Sequence, residues 1–300
     1  LEVEKMKTAM DTWARWIKDE QEIPETFLAF FKSIPYLKQF PYIVFAPPDR
    51  WYYHKTSAKF LVLLEDRLYI AEKIKKQIQI NCFLFGDIVY IEKGTLLLHS
   101  WLKIYGKSND VTTTVTVSYN TVVEHLFRPI IEKIRTNVYH LDPSEPAKEQ
   151  LQCELAKFDT LIRTNYKYMN FSKSSLLPGQ KVRQFILQPE IQVNVYKWFQ
   201  RTIAITHLIM LTDQELILIQ DDDSFIMRHQ VRYGGIWSYI PLSKINQITL
   251  RKVLKPDVME VNILLSDGFN FKSLYSPTQR EGLEALLQIV NQQSFQTQSA

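Results

Sequence analysis

The 300 residues carry 36 Lys and Arg against 32 Asp and Glu, a formal charge of +4, with 46% hydrophobic and 23% charged residues. A chain of this length and ordinary composition holds about two domains and can bury its core without metal or disulfide support. There are only 8 glycines, and none has the GxGxxG, GxxxxGKS or GxxxxGKT spacing by which backbone amides cradle phosphates, which excludes dinucleotide-fold and P-loop chemistry.

The segment Leu1 to Lys7 is charged and lacks the apolar run and small-residue cleavage site of a secretory signal. Leu1 is not an initiator residue, so the chain is open to being a piece of a longer protein. Met6, Met10, Trp13 and Ile17 recur at helical spacing, and a second short helix is expected from Pro24 to Ser33. The longest apolar runs, Phe60 to Leu64 and Ile203 to Leu211, fall well short of the roughly 18 residues of a membrane span. Cys82 and Cys153 form no CxxC pattern and read as free thiols in a reducing cytosol. The expected location is cytoplasmic, with peripheral attachment at the inner membrane face as the alternative.

The chain repeats itself. Arg50-Trp51-Tyr52-Tyr53-His54-Lys55 followed by Lys59 to Asp66 aligns without a gap on Lys197-Trp198-Phe199-Gln200-Arg201-Thr202 followed by Thr206 to Asp213. Upstream, Ile34-Pro35 sits against Leu177-Pro178, and Ile43 to Pro47 against Phe185 to Pro189. Downstream, Arg67 to Ala71 answers Glu215 to Ile219, and Phe85 to Ile91 answers Leu242 to Ile248.

Within each copy, short runs rich in β-branched and aromatic residues, such as Val111 to Tyr119 and Met259 to Leu265, predict half-buried strands. Gly106, Asn109-Asp110 and Asp267-Gly268 are read as the turns between them. Val122, Val123, Leu126, Phe127, Ile130, Ile131 and Ile134, and later Leu283, Leu286, Leu287 and Val290, recur at helical spacing, so a helix with one apolar face closes each copy. Many short strands and one amphipathic helix suggest a strongly bent sheet or open barrel with the helix across its mouth.

Leu211 to Ile219, Ile240-Pro241-Leu242-Ser243-Lys244-Ile245 and Ser266 to Phe271 resemble the bacterial pleckstrin-homology-like domain and its GRAM-type relatives, with Leu176 to Val182 similar to that family's opening motif. The first copy keeps a basic residue at Arg67. It has Phe85-Gly86-Asp87-Ile88 in place of the Pro-Leu-Ser-x-Ile segment, and Tyr36 instead of glycine after Pro35. The resemblance covers about two-thirds of the chain. It implies a mainly β fold of two tandem barrels, each of seven antiparallel strands and a C-terminal helix, used for binding and carrying no catalytic residues. The expected divisions are an N-terminal helical segment over 1–33, a first domain over 34–137, a helical linker over 138–173, a second domain over 174–292 and a loose tail over 293–300. In the linker, Leu151, Leu155, Phe158 and Ile162 define one helical face, with Ser144 as a cap and Pro146 in the first turn.

Chemistry-bearing patterns are sparse. The six histidines, at 54, 99, 125, 140, 207 and 229, form no HExxH or HxH, and His207 reads as a tolerated residue of an apolar strand. Asp221-Asp222-Asp223 reads as a solvated turn, since consecutive strand residues point to opposite faces. Neither a GxSxG elbow nor a supported SxxK motif is present, and no cofactor or metal is expected.

The candidate binding residues are basic and aromatic. Lys73, Lys75 and Lys76 cluster after a strand and fit either anionic head groups or an ordinary solvated charge run. Arg50, Trp51 and Lys55 in the first copy, and Lys197, Trp198 and Arg201 in the second, read either as interfacial anchors or, because both copies have them, as shared packing residues. Nucleic acid is disfavoured by the small net charge. The leading expectation is a non-enzymatic protein-interaction scaffold with a protein partner. The alternative is association with anionic membranes through the first copy, and the third reading is an enzyme whose site carries no linear motif.

Overall fold

The structure is a computed structural model that describes residues 12–35, 39–48, 50–51, 54–139, 145–196, 199–222 and 234–297. It is mainly β with helices, and its internal contacts fall into two compact units, Leu1–Val138 and Tyr139–Ala300.

In the first unit, β1 (Arg15–Ile17) leads to α1 (Glu25–Ser33), β2 (Tyr42–Ala46), the short hairpin β3 (Arg50–Trp51) and β4 (His54–Lys55), then β5 (Lys59–Leu63), β6 (Arg67–Ile74) and β7 (Gln77–Leu84). Strands β1-β2-β5-β6-β7 form one antiparallel sheet. A 3-10 turn at Phe85–Asp87 separates it from the meander β8 (Ile88–Leu96), β9 (His99–Ser108) and β10 (Val111–Asn120). A 3-10 segment, Thr121–Leu126, and α2 (Arg128–Tyr139) follow.

The helix expected from Pro24 to Ser33 is α1. It buries Phe27, Phe30 and Phe31, at the i, i+3, i+4 spacing of one helical face. Phe27 stacks on Phe60 at 5.2 Å and Phe30 meets Tyr69 edge-on at 6.0 Å, so α1 covers the sheet face that carries Ile43, Phe60, Val62 and Ala71. The helix expected around Trp13 and Ile17 is instead a turn and then β1; Met6 and Met10 lie outside the described residues. Trp16 and Ile17 pair with Val44 and Ile43, because an open edge of β2 offers both of them backbone hydrogen bonds and buries Ile17, while Trp16 stays 46% exposed.

The second unit begins with α3 (Glu145–Ala156), a 3-10 segment at Lys157–Leu161 and α4 (Tyr166–Ser175). Then come β11 (Val182–Gln188), the hairpin β12 (Ile191–Tyr196) and β13 (Phe199–Ala204), β14 (His207–Thr212), β15 (Glu215–Gln220) and β16 (Gly235–Pro241). After a 3-10 turn at Leu242–Lys244 follow β17 (Ile245–Leu254), β18 (Asp257–Leu265), β19 (Asn270–Tyr275) and α5 (Arg280–Thr297). Within this unit β11-β14-β15-β16 form one antiparallel sheet, β17-β18-β19 a second, and β12-β13 a separate ribbon. Phe171 on α4 meets Trp237 of β16 edge-on at 4.6 Å, and Phe158 lies 5.0 Å from Phe185, so these helices cover one face of the sheet. On the opposite face Gln184 donates to the Gly282 carbonyl of α5 (2.7 Å).

The two units run in the same order, and the aligned segments fall on equivalent elements. Phe60–Leu63 and His207–Met210 are buried strand residues of β5 and β14, and Phe85–Asp87 and Leu242–Lys244 are both 3-10 turns. The likeness reaches further upstream than the aligned residues, since α1 and α4 each end shortly before the first long strand of their unit.

Several expectations are corrected. The sheets are open rather than closed barrels: the 3-10 turns end one sheet and start the next, and the second turn follows Pro241, which has no amide hydrogen to extend a ladder. Gly106 is not a turn residue but lies inside β9, where it lets the backbone of Asp87 and Ile88 approach. Val122 is 55% exposed and Ile162 is 49% exposed, because each falls in or beside a 3-10 segment whose tighter winding takes it off the apolar face. Ser144 lies outside the described residues, while Pro146 does sit in the first turn of α3. α5 runs on to Thr297, into the segment expected as the tail.

Asp221 and Asp222 are buried rather than solvated, and Asp223 lies outside the described residues. Asp221 accepts from Lys167 Nζ (2.7 Å) and from the Tyr168 hydroxyl (3.1 Å), which ties α4 to the end of β15. The opening motif is structural as well. Gln180 is fully buried, accepts from the Leu177 amide (2.9 Å) and donates to the fully buried Glu215 carboxylate (2.6 Å).

Candidate functional site

The second unit contains a cleft of about 680 Å³ between the β12-β13 ribbon and the β18-β19 side of the three-stranded sheet. Its lining follows from how β13 and β19 sit in their sheets. Among the described residues β13 pairs with β12 alone and β19 with β18 alone, leaving one edge of each strand open. Consecutive residues, Gln200 to Ile205 on one wall and Lys272 to Leu274 on the other, border the cleft. Side chains of a strand alternate between faces, so an uninterrupted run along a wall means that the cleft is bordered by strand edges and their backbone groups.

The walls are polar. The ribbon is fastened at its base by Glu190, whose Oε1 accepts from Gln192 Nε2 (2.9 Å) and from the Thr202 hydroxyl (2.5 Å). Arg201 and Lys272 are exposed on opposite walls, and neither has a carboxylate partner among the described residues. Glu260 also lines the cleft, but its carboxylate is engaged by Arg251 at 3.0 Å. Arg201 and Lys272 are therefore the two exposed cations of the cleft lining, with the Glu190 carboxylate held by neutral donors at the ribbon's base.

His207 and its cross-strand partner Gln220 close the bottom. His207 is only 8% exposed, Nδ1 lies 2.7 Å from the Ile205 carbonyl, and Nε2 has no hydrogen-bond partner among the described residues. A carbonyl can only accept, so the proton sits on Nδ1 and the buried Nε2 keeps a bare lone pair. The ring meets the fully buried Tyr275 edge-on at 4.7 Å. Burial holds the imidazole below its ordinary pKa of 6.5, against the smaller opposing pull of the Ile205 carbonyl and the Asp221 charge.

This depressed pKa predicts a pH dependence of stability. The unfolded chain takes up a proton near pH 6.5 while the folded chain does not, so folding stability falls as the pH drops below about 6.5. In urea melts at pH 7.5 and 5.0, His207→Gln is expected to lose less stability on acidification than the parent chain. An equal loss in both would show that His207 does not contribute.

The residues expected from the sequence divide between two places. Arg201 is in the cleft, while Lys197 and Trp198 lie outside the described residues. In the first unit Arg50 pairs with Lys55 across the β3-β4 hairpin, with Trp51 opposite His54. Lys73 is the penultimate residue of β6, which ends at Ile74, and Lys75, with φ of 54°, and Lys76 make the tight turn into β7. The Lys73 amide donates to the Ala58 carbonyl (2.9 Å), which brings the chain just after Lys55 to the same end of the sheet. Lys55, Lys73, Lys75 and Lys76 are all exposed, and Ile74 among them is 43% exposed. Lys272, Glu260 and the His207 floor of the cleft are not signalled by any sequence motif, because strands far apart in the chain bring them together.

Among the described residues no group of three or more His, Cys, Asp or Glu is placed to hold a metal, and no helix is long and apolar enough to cross a membrane. The chain matches no protein-family model and no curated protein.

Proposed function

We propose that the chain is a non-enzymatic binding protein of two tandem pleckstrin-homology-like units that holds a protein partner. In support of the family reading, each unit contains a four-strand antiparallel run, then a 3-10 turn, a three-strand meander and a closing helix, with a hairpin after the first long strand. The observation that carries the functional reading is the cleft of about 680 Å³, bordered by two strand edges and two cations that have no partner among the described residues. Open edges bind chains through backbone hydrogen bonds, which is a protein-recognition mode and requires no chemistry of bond breaking. The test is capture from an extract of the source cells on the intact chain, followed by reconstitution from purified components. A complex of fixed stoichiometry, measured by light scattering, is expected. Failure of every captured protein to re-form a complex would contradict the proposal.

A second reading is association of the first unit with anionic bilayers, favoured by Lys73, Lys75 and Lys76 standing exposed around the apolar Ile74. Each basic residue near a charged surface contributes about 1 kcal/mol, screened within roughly 10 Å at 0.1 M salt. Co-sedimentation with phosphatidylserine vesicles at low salt is expected to be lost when the three lysines are changed to glutamate. Pelleting that is insensitive to salt and to these changes would count against it.

A further inference from the structure

We infer that the cleft of the second unit is a slot for one extended, acidic segment of a partner protein, which adds as a strand to the free edge of β19 and lies against β13. The inference rests on the binding-protein reading and specifies its ligand.

Three observations converge. First, the walls are runs of consecutive residues, 200–205 and 272–274, from two strands that each end their sheet among the described residues, so strand edges border the cleft. A ligand that can satisfy a row of edge backbone groups is another backbone in extended form, whereas a compact head group satisfies only a few of them. Second, β19 ends its sheet. Its residues from Asn270 to Tyr275 are matched to Leu264 through Met259 of β18, and among the described residues nothing is paired on the other side. Third, the charges select the sequence of the ligand. Arg201 and Lys272 stand on opposite walls without carboxylate partners among the described residues, and the nearby Glu260 is paired with Arg251 at 3.0 Å. Alternate side chains of an added strand point to the same side, so acidic residues at every second position would meet these cations.

The buried floor suits the same ligand. His207 is neutral with Nδ1 committed to the Ile205 carbonyl, so the slot has no third cation at its base and the attraction is confined to its rims.

The test uses the intact chain, deuterated and 15N-labelled, titrated with an acetylated and amidated heptapeptide alternating Glu and Val, and with its Lys-Val counterpart. The acidic peptide is expected to shift amides within Phe199–Ala204 and Asn270–Tyr275 and to bind at least tenfold more tightly than the basic one. N-methylation of the peptide at alternate residues, which keeps the side chains and removes the backbone donors, is expected to abolish binding. Arg201→Glu with Lys272→Glu, both surface changes checked by thermal melting, is expected to weaken the acidic peptide at least tenfold and to favour the basic one.

The inference is overturned if neither peptide shifts these amides at millimolar concentration, or if N-methylation leaves affinity unchanged. It is also overturned if inositol hexakisphosphate shifts the same amides and the peptide cannot displace it, an outcome that would make the cleft an anion site. A reconstituted partner complex that survives the double charge reversal would refute the slot and leave the binding-protein reading standing; absence of any reconstituted partner would refute that reading itself.

Discussion

Gln180→Leu is expected to destabilise the second unit by about 3 kcal/mol, although it preserves side-chain size and touches no exposed surface. The Gln180 carboxamide is fully buried between the Leu177 amide, which donates to it at 2.9 Å, and the Glu215 carboxylate, which accepts from it at 2.6 Å. Leucine can serve neither. It leaves a buried amide without that acceptor and takes a donor from a carboxylate that has no solvent exposure. Each such loss costs about 1–3 kcal/mol, more where a charge is involved. Neighbouring contacts of the same loop, Lys181 amide to Asp213 Oδ1 (2.9 Å) and Asp213 amide to the Lys181 carbonyl (3.0 Å), are exposed, so Asp213→Ala is expected to cost under about 1 kcal/mol. Urea unfolding of the two variants checks the pair. If Gln180→Leu costs no more than Asp213→Ala, the buried bridge is not what locks the opening motif onto the β14-β15 turn.

The second large effect is expected at Gly106. A methyl group there would lie 2.5 Å from the Asp87 carbonyl oxygen and 2.8 Å from the Ile88 Cα. Both are backbone atoms of the chain leaving the 3-10 turn into β8, where the ladder with β9 already shifts register between Ile88 and Tyr90. Backbone held by a sheet moves little, so Gly106→Ala is expected to cost about 2–3 kcal/mol. Gly94 makes the instructive contrast. A methyl group at Gly94 would run into the ring of Trp101, its cross-strand partner, but that ring is a side chain and can turn away. The cost is then the Trp101 Nε1 bond to Glu92 Oε1 (2.9 Å) and some packing, about 1 kcal/mol. Thermal or urea unfolding of both variants measures the difference. The reverse order would mean that the turn backbone yields more readily than the tryptophan.

Where the chain reports locally, its sequence is a good guide to its fold. The alternation of Val115, Val117 and Tyr119 shows which side of β10 is buried, and Leu283, Leu286 and Val290 mark the buried face of α5. The aligned segments of the internal repeat fall on strands β5 and β14 and on the two 3-10 turns. Local patterning fails where a distant element decides. Trp13 and Ile17 look helical by spacing, yet Trp13 lies in a turn and Ile17 in a strand because the edge of β2 is there to receive Arg15–Ile17. Asp221 looks like part of a solvated acidic run and is buried because Lys167 and Tyr168, more than fifty positions earlier, reach it. The candidate site was the least legible. Arg201 was visible as part of the repeated basic-aromatic hairpin, but Lys272 and His207 carry no motif, and the cleft exists only where β13 and β19 face each other. Unpaired strand edges are a property of sheet order, which no stretch of sequence records by itself.

Hydrogen exchange of the intact chain, alone and in complex with its reconstituted partner, tests the binding account most directly, because strand addition protects backbone amides whatever the partner's side chains. Slowed exchange is predicted in Phe199–Ala204 and Asn270–Tyr275, with the Lys73–Lys76 turn unchanged. Protection confined to that turn, or absent from the β19 edge, would contradict the account.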